Sequence, residues 1–194
     1  MSEPEDEPAV TPPNAPRIVP VERSEATDRQ AELLDGLGPA SGLNIFRTLA
    51  HHPRLLRSWL PFGGRLLQGS SLPERDRELV ILRVAARCRS DYEWGQHVAI
   101  GRIAGLADEE VLRVASFTGD EGWPAWEALL LRATDELVID HCIEEPTWTA
   151  LADTYDTSQL IELTMLAGHY AMLAGTLRSA GTRTEMKLPS IGEV

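Results

Sequence analysis

Cysteine is almost missing: the 194 residues hold only Cys88 and Cys142. Two sulfurs that far apart in sequence supply neither a disulfide framework nor a metal knuckle. Cations are also scarce, with 18 Lys and Arg against 30 Asp and Glu and a formal net charge of −12. That balance argues against a nucleic-acid binder, which needs clustered cations to neutralise phosphates. It also speaks against docking on an anionic membrane, and surplus acid of this kind keeps a surface soluble. No apolar run approaches the roughly eighteen residues of a membrane-spanning helix, so none is expected. The opening Met-Ser-Glu-Pro-Glu-Asp-Glu-Pro has no basic start and no apolar stretch, unlike a signal peptide. A cytoplasmic location is the expectation.

What is present is an ordinary apolar fraction, 43%, on a chain long enough for one domain with a full core. Residues 1–20 are acidic and carry Pro4, Pro8, Pro12, Pro13, Pro16 and Pro20. Such a segment buries too little apolar surface to offset ordering, and it reads as a flexible tail. A single helical domain is expected over 21–186, with a short C-terminal tail over 187–194. Within the domain, apolar positions recur at helical spacing and no alternating strand pattern appears, so the fold class is all-α. Ser24 is expected to cap a helix over 24–34, ended by Gly36 and Gly38. A short helix is expected over 44–51, and Pro53 opens another with an apolar face of Leu55, Leu56, Trp59, Leu60 and Phe62. Ser71-Leu-Pro-Glu74 reads as a capping box for a helix over 72–87. A second helix over 91–104 follows, stopped by Gly105. Acids at 108–110 suit the first turn of the next helix. Pro124 and Pro146 open two more, and Asp156 with Gln159 caps a last long one over 157–180, closed by Gly181.

One stretch looks like chemistry. Glu93 and His97 are i and i+4 on the 91–104 helix and share a face. Ser90 lies one turn back, and Glu78 sits early in the preceding helix. If the two helices pack antiparallel, Glu78 approaches His97, and a carboxylate there would orient the imidazole and favour its charged form. Such a pair can pass protons near neutral pH. Trp94, beside the motif, is a candidate pocket wall. Arg83, Arg87 and Arg89, close by in sequence, are candidate cations. Glu78, Glu93, His97 and His169 are metal-ligand types without a diagnostic spacing, and neither a metal nor a cofactor is expected.

The run Arg77-Glu78-Leu79, then Tyr92-Glu93-Trp94-Gly95-Gln96-His97, then 105–111, together with Glu162-Leu-Thr-Met-Leu-Ala-Gly-His169-Tyr170, resembles the carboxymuconolactone decarboxylase and alkylhydroperoxidase D superfamily. The resemblance spans about 40–180. It implies an AhpD-like helical fold, oligomerising through its helices as a homo-trimer or hexamer, with a small-molecule substrate. In the peroxidase branch it implies a Glu, a Cys-x-x-Cys pair and a His. Here the Glu falls on Glu78 and the His on His97, while the cysteine positions hold Ser90 and Glu93. Thiol peroxidase chemistry needs an attacking and a resolving sulfur, so that alternative is disfavoured. The decarboxylase branch implies cofactor-free acid–base chemistry, decarboxylase, lyase or isomerase in type, on a small organic acid or lactone. Glu78, Glu93 and His97 would be catalytic, and Ser90, Trp94, His169 and Tyr170 would contact substrate. A non-catalytic oligomer that binds a small ligand is the remaining alternative.

Overall fold

The structure, a computed structural model, describes residues 10–119 and 122–194. Those residues form helices, one 3-10 turn and connecting loops, with no strand among them. The helices are α1 (Asp28–Asp35), α2 (Asn44–Leu49), α3 (Pro53–Gln68), α4 (Glu74–Arg87), α5 (Asp91–Ile103), α6 (Asp108–Ala115), α7 (Ala125–Ile139), α8 (Glu145–Ala152) and α9 (Thr157–Ala180), with the 3-10 turn at Gly38–Gly42. The fold is all-α, as the periodicity of the sequence predicts.

Helix α4 is the axis of the molecule. Residues 79–82, Val84 and Ala85 are wholly buried, because α5, α6, α7 and α9 all pack against it. A stretch buried on every side, as 79–85 is, holds only when it is surrounded in this way and its one charge, Arg83, is paired. Its start differs from the expected capping box. Pro73 occupies the N-cap, and the Ser71 amide and hydroxyl instead donate to the Glu162 carboxylate on α9. Pro73 fixes the entry of the chain, and the Glu162 carboxylate takes the place of a local cap. Its end is a tight left-handed turn. Arg89 sits at φ 55°, and the Ser90 amide donates to Ala85 O at 2.8 Å. This is the six-to-one bond of a Schellman cap, and it turns the chain back so that α5 packs antiparallel on α4.

Helix α9 carries the expected capping box: the Gln159 amide donates to Asp156 Oδ1 at 2.9 Å, and Gly181 ends the helix at φ 70°. Among the described residues it is the one helix long and apolar enough by composition to cross a membrane, and half of its most apolar window is buried in this fold. Its other side exposes Ile161, Met165 and Met172. Helix α1 begins at Asp28 rather than at residue 24, since the Thr27 amide donates to Gln30 Oε1 there at 2.9 Å.

The two expected tails are docked where they can be seen. Residues 1–9 lie outside the described residues. From Val10 the chain runs along the end of α9: Arg178 donates to Val10 O, and the Arg17 amide donates to Ala180 O at 2.7 Å. Backbone hydrogen bonds, absent from a compositional reading, tie this Pro-rich segment down. At the other terminus, Trp94 Nε1 donates to Glu193 O at 3.1 Å, and the Ile191 amide donates to Asp91 Oδ1 at 3.0 Å. This strap crosses α5 at Gly95, where an added Cβ would lie 2.8 Å from Leu188 Cβ and 3.1 Å from Pro189 O. Gly95→Ala is therefore expected to lower stability by about 1–3 kcal/mol and to speed carboxypeptidase trimming of residues 183–194. Unchanged denaturation and trimming would show that the strap is not seated there.

Candidate active site

Glu78 lies in the second turn of α4 and His97 midway along α5, and the antiparallel packing brings them together. His97 Nδ1 lies 2.7 Å from Glu78 Oε2, and Arg77 Nε donates to Glu78 Oε1 at 2.9 Å. Glu78 is fully buried, with both oxygens engaged. Burial alone would raise its pKa, but the hydrogen bond and positive charge that His97 offers, with those of Arg77, outweigh it and hold the carboxyl below its ordinary value. The carboxylate fixes the imidazole. In the neutral ring the proton sits on Nδ1, and Nε2 keeps the lone pair for a ligand.

Glu93 stands one turn before His97 on the same face of α5. Both of its carboxyl oxygens are buried without a hydrogen-bond partner. Burial pushes this carboxyl up to about 8, and the Ser90 hydroxyl pulls weakly the other way without forming a sound hydrogen bond. At neutral pH Glu93 is mostly protonated. The same helix thus presents a neutral acid and an oriented imidazole four residues apart.

Both open onto a cavity of about 620 Å³ bounded by α3, α5, α9 and residues 36–46. His169 stacks on Trp59, with ring centres 5.7 Å apart and an interplanar angle of 13°, and meets Phe62 edge-on. Its Nδ1 is buried without a partner, and burial lowers the pKa of the ring. Gly63 makes the stack possible, because a Cβ there would press on the Trp59 ring at 3.2 Å. Tyr170 lies edge-on to His97 at 5.1 Å. Burial, and then the Glu78 and Glu93 charges, keep its hydroxyl un-ionised.

Residues 53–135, from the first residue of α3 well into α7, match the model of the carboxymuconolactone decarboxylase family. The chain also superposes on the alkylhydroperoxidase AhpD core of an uncharacterized peroxidase-related protein from Ralstonia eutropha JMP134, with a TM-score of 0.74 over 88% of this chain and 92% of that one. Over residues 53–135 the chain is thus similar to the carboxymuconolactone decarboxylase family, and its fold is AhpD-like. At 19% identity the structural likeness speaks for the fold. No curated protein matches the chain.

The segment matched to the carboxymuconolactone decarboxylase family holds Glu78, Glu93 and His97, whereas His169, Tyr170 and the wall over 36–46 lie outside it. Of the residues singled out in the sequence, Glu93, His97, His169 and Tyr170 line the cavity, with Glu78 directly behind His97. Two others do not reach it. Trp94 is one residue beyond Glu93 and so turned by about 100° on the helix, which buries it among Leu79, Leu82 and Val98 on the opposite side of α5. Ser90 is buried at the α4–α5 turn, beside a separate cleft lined by Pro12, Pro13 and Arg178.

The arginines expected to supply a cation are also elsewhere. Arg83 grips Asp135 with two bonds of 2.6 Å and donates to Val114 O and Phe117 O at 2.8 Å, clamping α4 to α6 and α7. Arg87 leans on the same Asp135, and Arg89 serves the turn. The cation nearest the chemistry is Arg77, which the sequence offered only as the neighbour of Glu78. Trp59, Phe46 and Gln96 were likewise not read as site residues. For Gln96 the signal was there, since it stands four residues after Tyr92 on the cavity side.

The AhpD-like scaffold holds no paired sulfur here. Cys88 and Cys142 are both free. Burial, and then the Glu93 charge, raise the Cys88 thiol, so it is a poor source of thiolate.

Proposed function

We propose that this protein catalyses cofactor-free proton transfer on a small carbonyl compound or lactone, of isomerase or lyase type. His97 acts as the base, Glu93 as the acid, and Glu78 positions the imidazole. The observation that carries this reading is that a buried, unpartnered Glu93 carboxyl and a His97 fixed by Glu78 line one largely apolar cavity. Two titratable groups on one face, one held neutral by burial and the other oriented by a carboxylate, form a matched acid and base.

In the step this supports, Nε2 of His97 takes a proton from the carbon next to the carbonyl. The C–H electron pair moves into the new carbon–carbon double bond, and the carbonyl π pair moves onto oxygen. Glu93 gives that oxygen its proton, and the enol forms. Return of the His97 proton to a conjugated carbon, with the enol proton going back to Glu93, completes an isomerisation. Loss of carbon dioxide from a suitably placed carboxylate would reach the same enol and give the decarboxylase outcome. Thiol peroxidase chemistry has no support in the site, because Ser90 and Glu93 stand at the two sulfur positions. Self-association belongs to the same reading, and the exposed Ile161, Met165 and Met172 stripe of α9 is the surface it would use.

The test is exchange of the α-protons of β-tetralone and of a panel of enolisable lactones in heavy water, followed by proton NMR. The protein should accelerate exchange above the buffer background, and His97→Asn should cut that acceleration by at least about 100-fold. The rate should fall as pH rises through the Glu93 pKa of about 8, because the acid is then lost. No acceleration on any member of the panel, or full activity in His97→Asn, would overturn the assignment.

A further inference from the structure

The walls of the cavity carry more information than its acid and base. Every side chain that residues 36–46 contribute to it is apolar or absent, with Leu37, Leu43, Ile45 and Phe46 the largest. This wall lies outside the segment matched to the family. From α3 and α9 come the flat faces of Trp59, His169 and Tyr170. No lysine or arginine is among the lining residues. Arg77 is bound to Glu78 behind His97, and Glu93 is the carboxylic acid among the lining residues. An anion entering this space would leave water with no lysine or arginine on the cavity wall to receive it and would meet the Glu93 carboxyl, an unfavourable exchange. The unpartnered Glu93 carboxyl, in its protonated form, offers one donor to an acceptor on the ligand.

From these observations we infer that the natural ligand is an uncharged, mainly apolar ring compound with a single carbonyl or lactone acceptor, seated against the Trp59–His169 stack with that acceptor toward Glu93. The inference rests on the proton-transfer reading and narrows it. A carboxylated substrate is rejected, so the isomerase outcome is selected over the decarboxylase one. The wall over 36–46 is the specificity element, because it replaces the polar or cationic groups that an acid substrate would need.

Three probes on one bicyclic skeleton test this by isothermal titration of the full chain at pH 7: β-tetralone, uncharged; tetralin-β-carboxylate, an anion; and β-aminotetralin, a cation. The ketone is expected to bind at least about tenfold tighter than either charged probe. Gln68→Arg places a cation at the cavity mouth on an exposed position that the fold tolerates, and it should narrow the gap between ketone and carboxylate several-fold. Tightest binding of the carboxylate or of the amine would overturn the inference, and so would failure of all three to bind. A ketone preference that Gln68→Arg leaves untouched would place binding outside this cavity and overturn it as well. Proton exchange is read separately. Ketone preference without catalysed exchange would remove the catalytic reading alone, and catalysed exchange with carboxylate preference would remove the ligand class alone.

Discussion

Replacing Glu93 by Gln is expected to stabilise the protein, and to do so far more at pH 8 than at pH 5. The carboxyl is buried on α5 with neither oxygen bonded, and burial lifts it from an ordinary 4.5 to about 8. A group whose folded pKa lies above its unfolded one binds more protons in the folded state. Stability is therefore intact below about 4.5, declines as pH rises, and is fully lost past about 8. Each pH unit across that window costs about 1.4 kcal/mol, on the order of 4 kcal/mol in all. Gln has nearly the same shape and no charge to bury, so the variant escapes the loss. At pH 5 the melting temperatures of the two proteins should nearly coincide. At pH 8 the variant should melt on the order of 10 °C higher. Circular dichroism melts at the two pH values make the check. Equal differences at both would mean that Glu93 is not protonated in the folded protein, and the acid of the proposed reaction would be gone. The proton exchange rate should move the opposite way, since the amide supplies no transferable proton. Stability gained as activity is lost is the mark of a site held in strain for function.

The helices were legible in the sequence because their signals are local. Asp156 with Gln159 caps α9, Gly181 ends it, and both act within one turn of the chain. The approach of Glu78 to His97 was legible for a related reason. A short turn between two buried helices forces an antiparallel pair, which brings together two residues nineteen positions apart. What failed needed knowledge of faces and of distant partners. On a helix buried on nearly all sides, periodicity does not say which face meets the cavity, so Trp94 was placed beside Glu93 when it points into the core. Ser71 reads as a cap until Glu162, on a helix far along the chain, takes its hydroxyl. Arg83 reads as a candidate cation for a substrate until Asp135 and three carbonyl oxygens fold around it. The side chains that residues 36–46 give the cavity are all apolar, so no polar group marks them in the sequence, and only tertiary packing against Trp59 and Tyr92 makes them a wall.

Glu78→Ala should have the opposite sign to Glu93→Gln and a similar size. Glu78 binds Arg77 on one oxygen and His97 on the other, all three of them buried. Removing it strands the guanidinium in a low-dielectric interior and leaves a void where the buried carboxylate stood. Breaking a buried ion pair from one side costs about 3–5 kcal/mol. Glu78→Gln keeps the volume and one hydrogen bond to the ring but loses the charge. It should be destabilised less, and the difference from wild type should follow the titration of Glu78. That carboxyl is held below its ordinary 4.5, so its contribution is present above that value and fades as pH falls through the lower folded pKa. Wild type and Glu78→Gln should thus converge in acid, whereas wild type and Glu93→Gln diverge toward alkali. Urea denaturation across pH 3 to 9 reads both trends. The coupling appears in a double-mutant cycle with His97→Asn. If Glu78 acts on the reaction only through the imidazole, the exchange rate of the double variant should match that of His97→Asn alone. Additive losses would mean that Glu78 touches the reacting molecule itself, and its place behind His97 would be wrong.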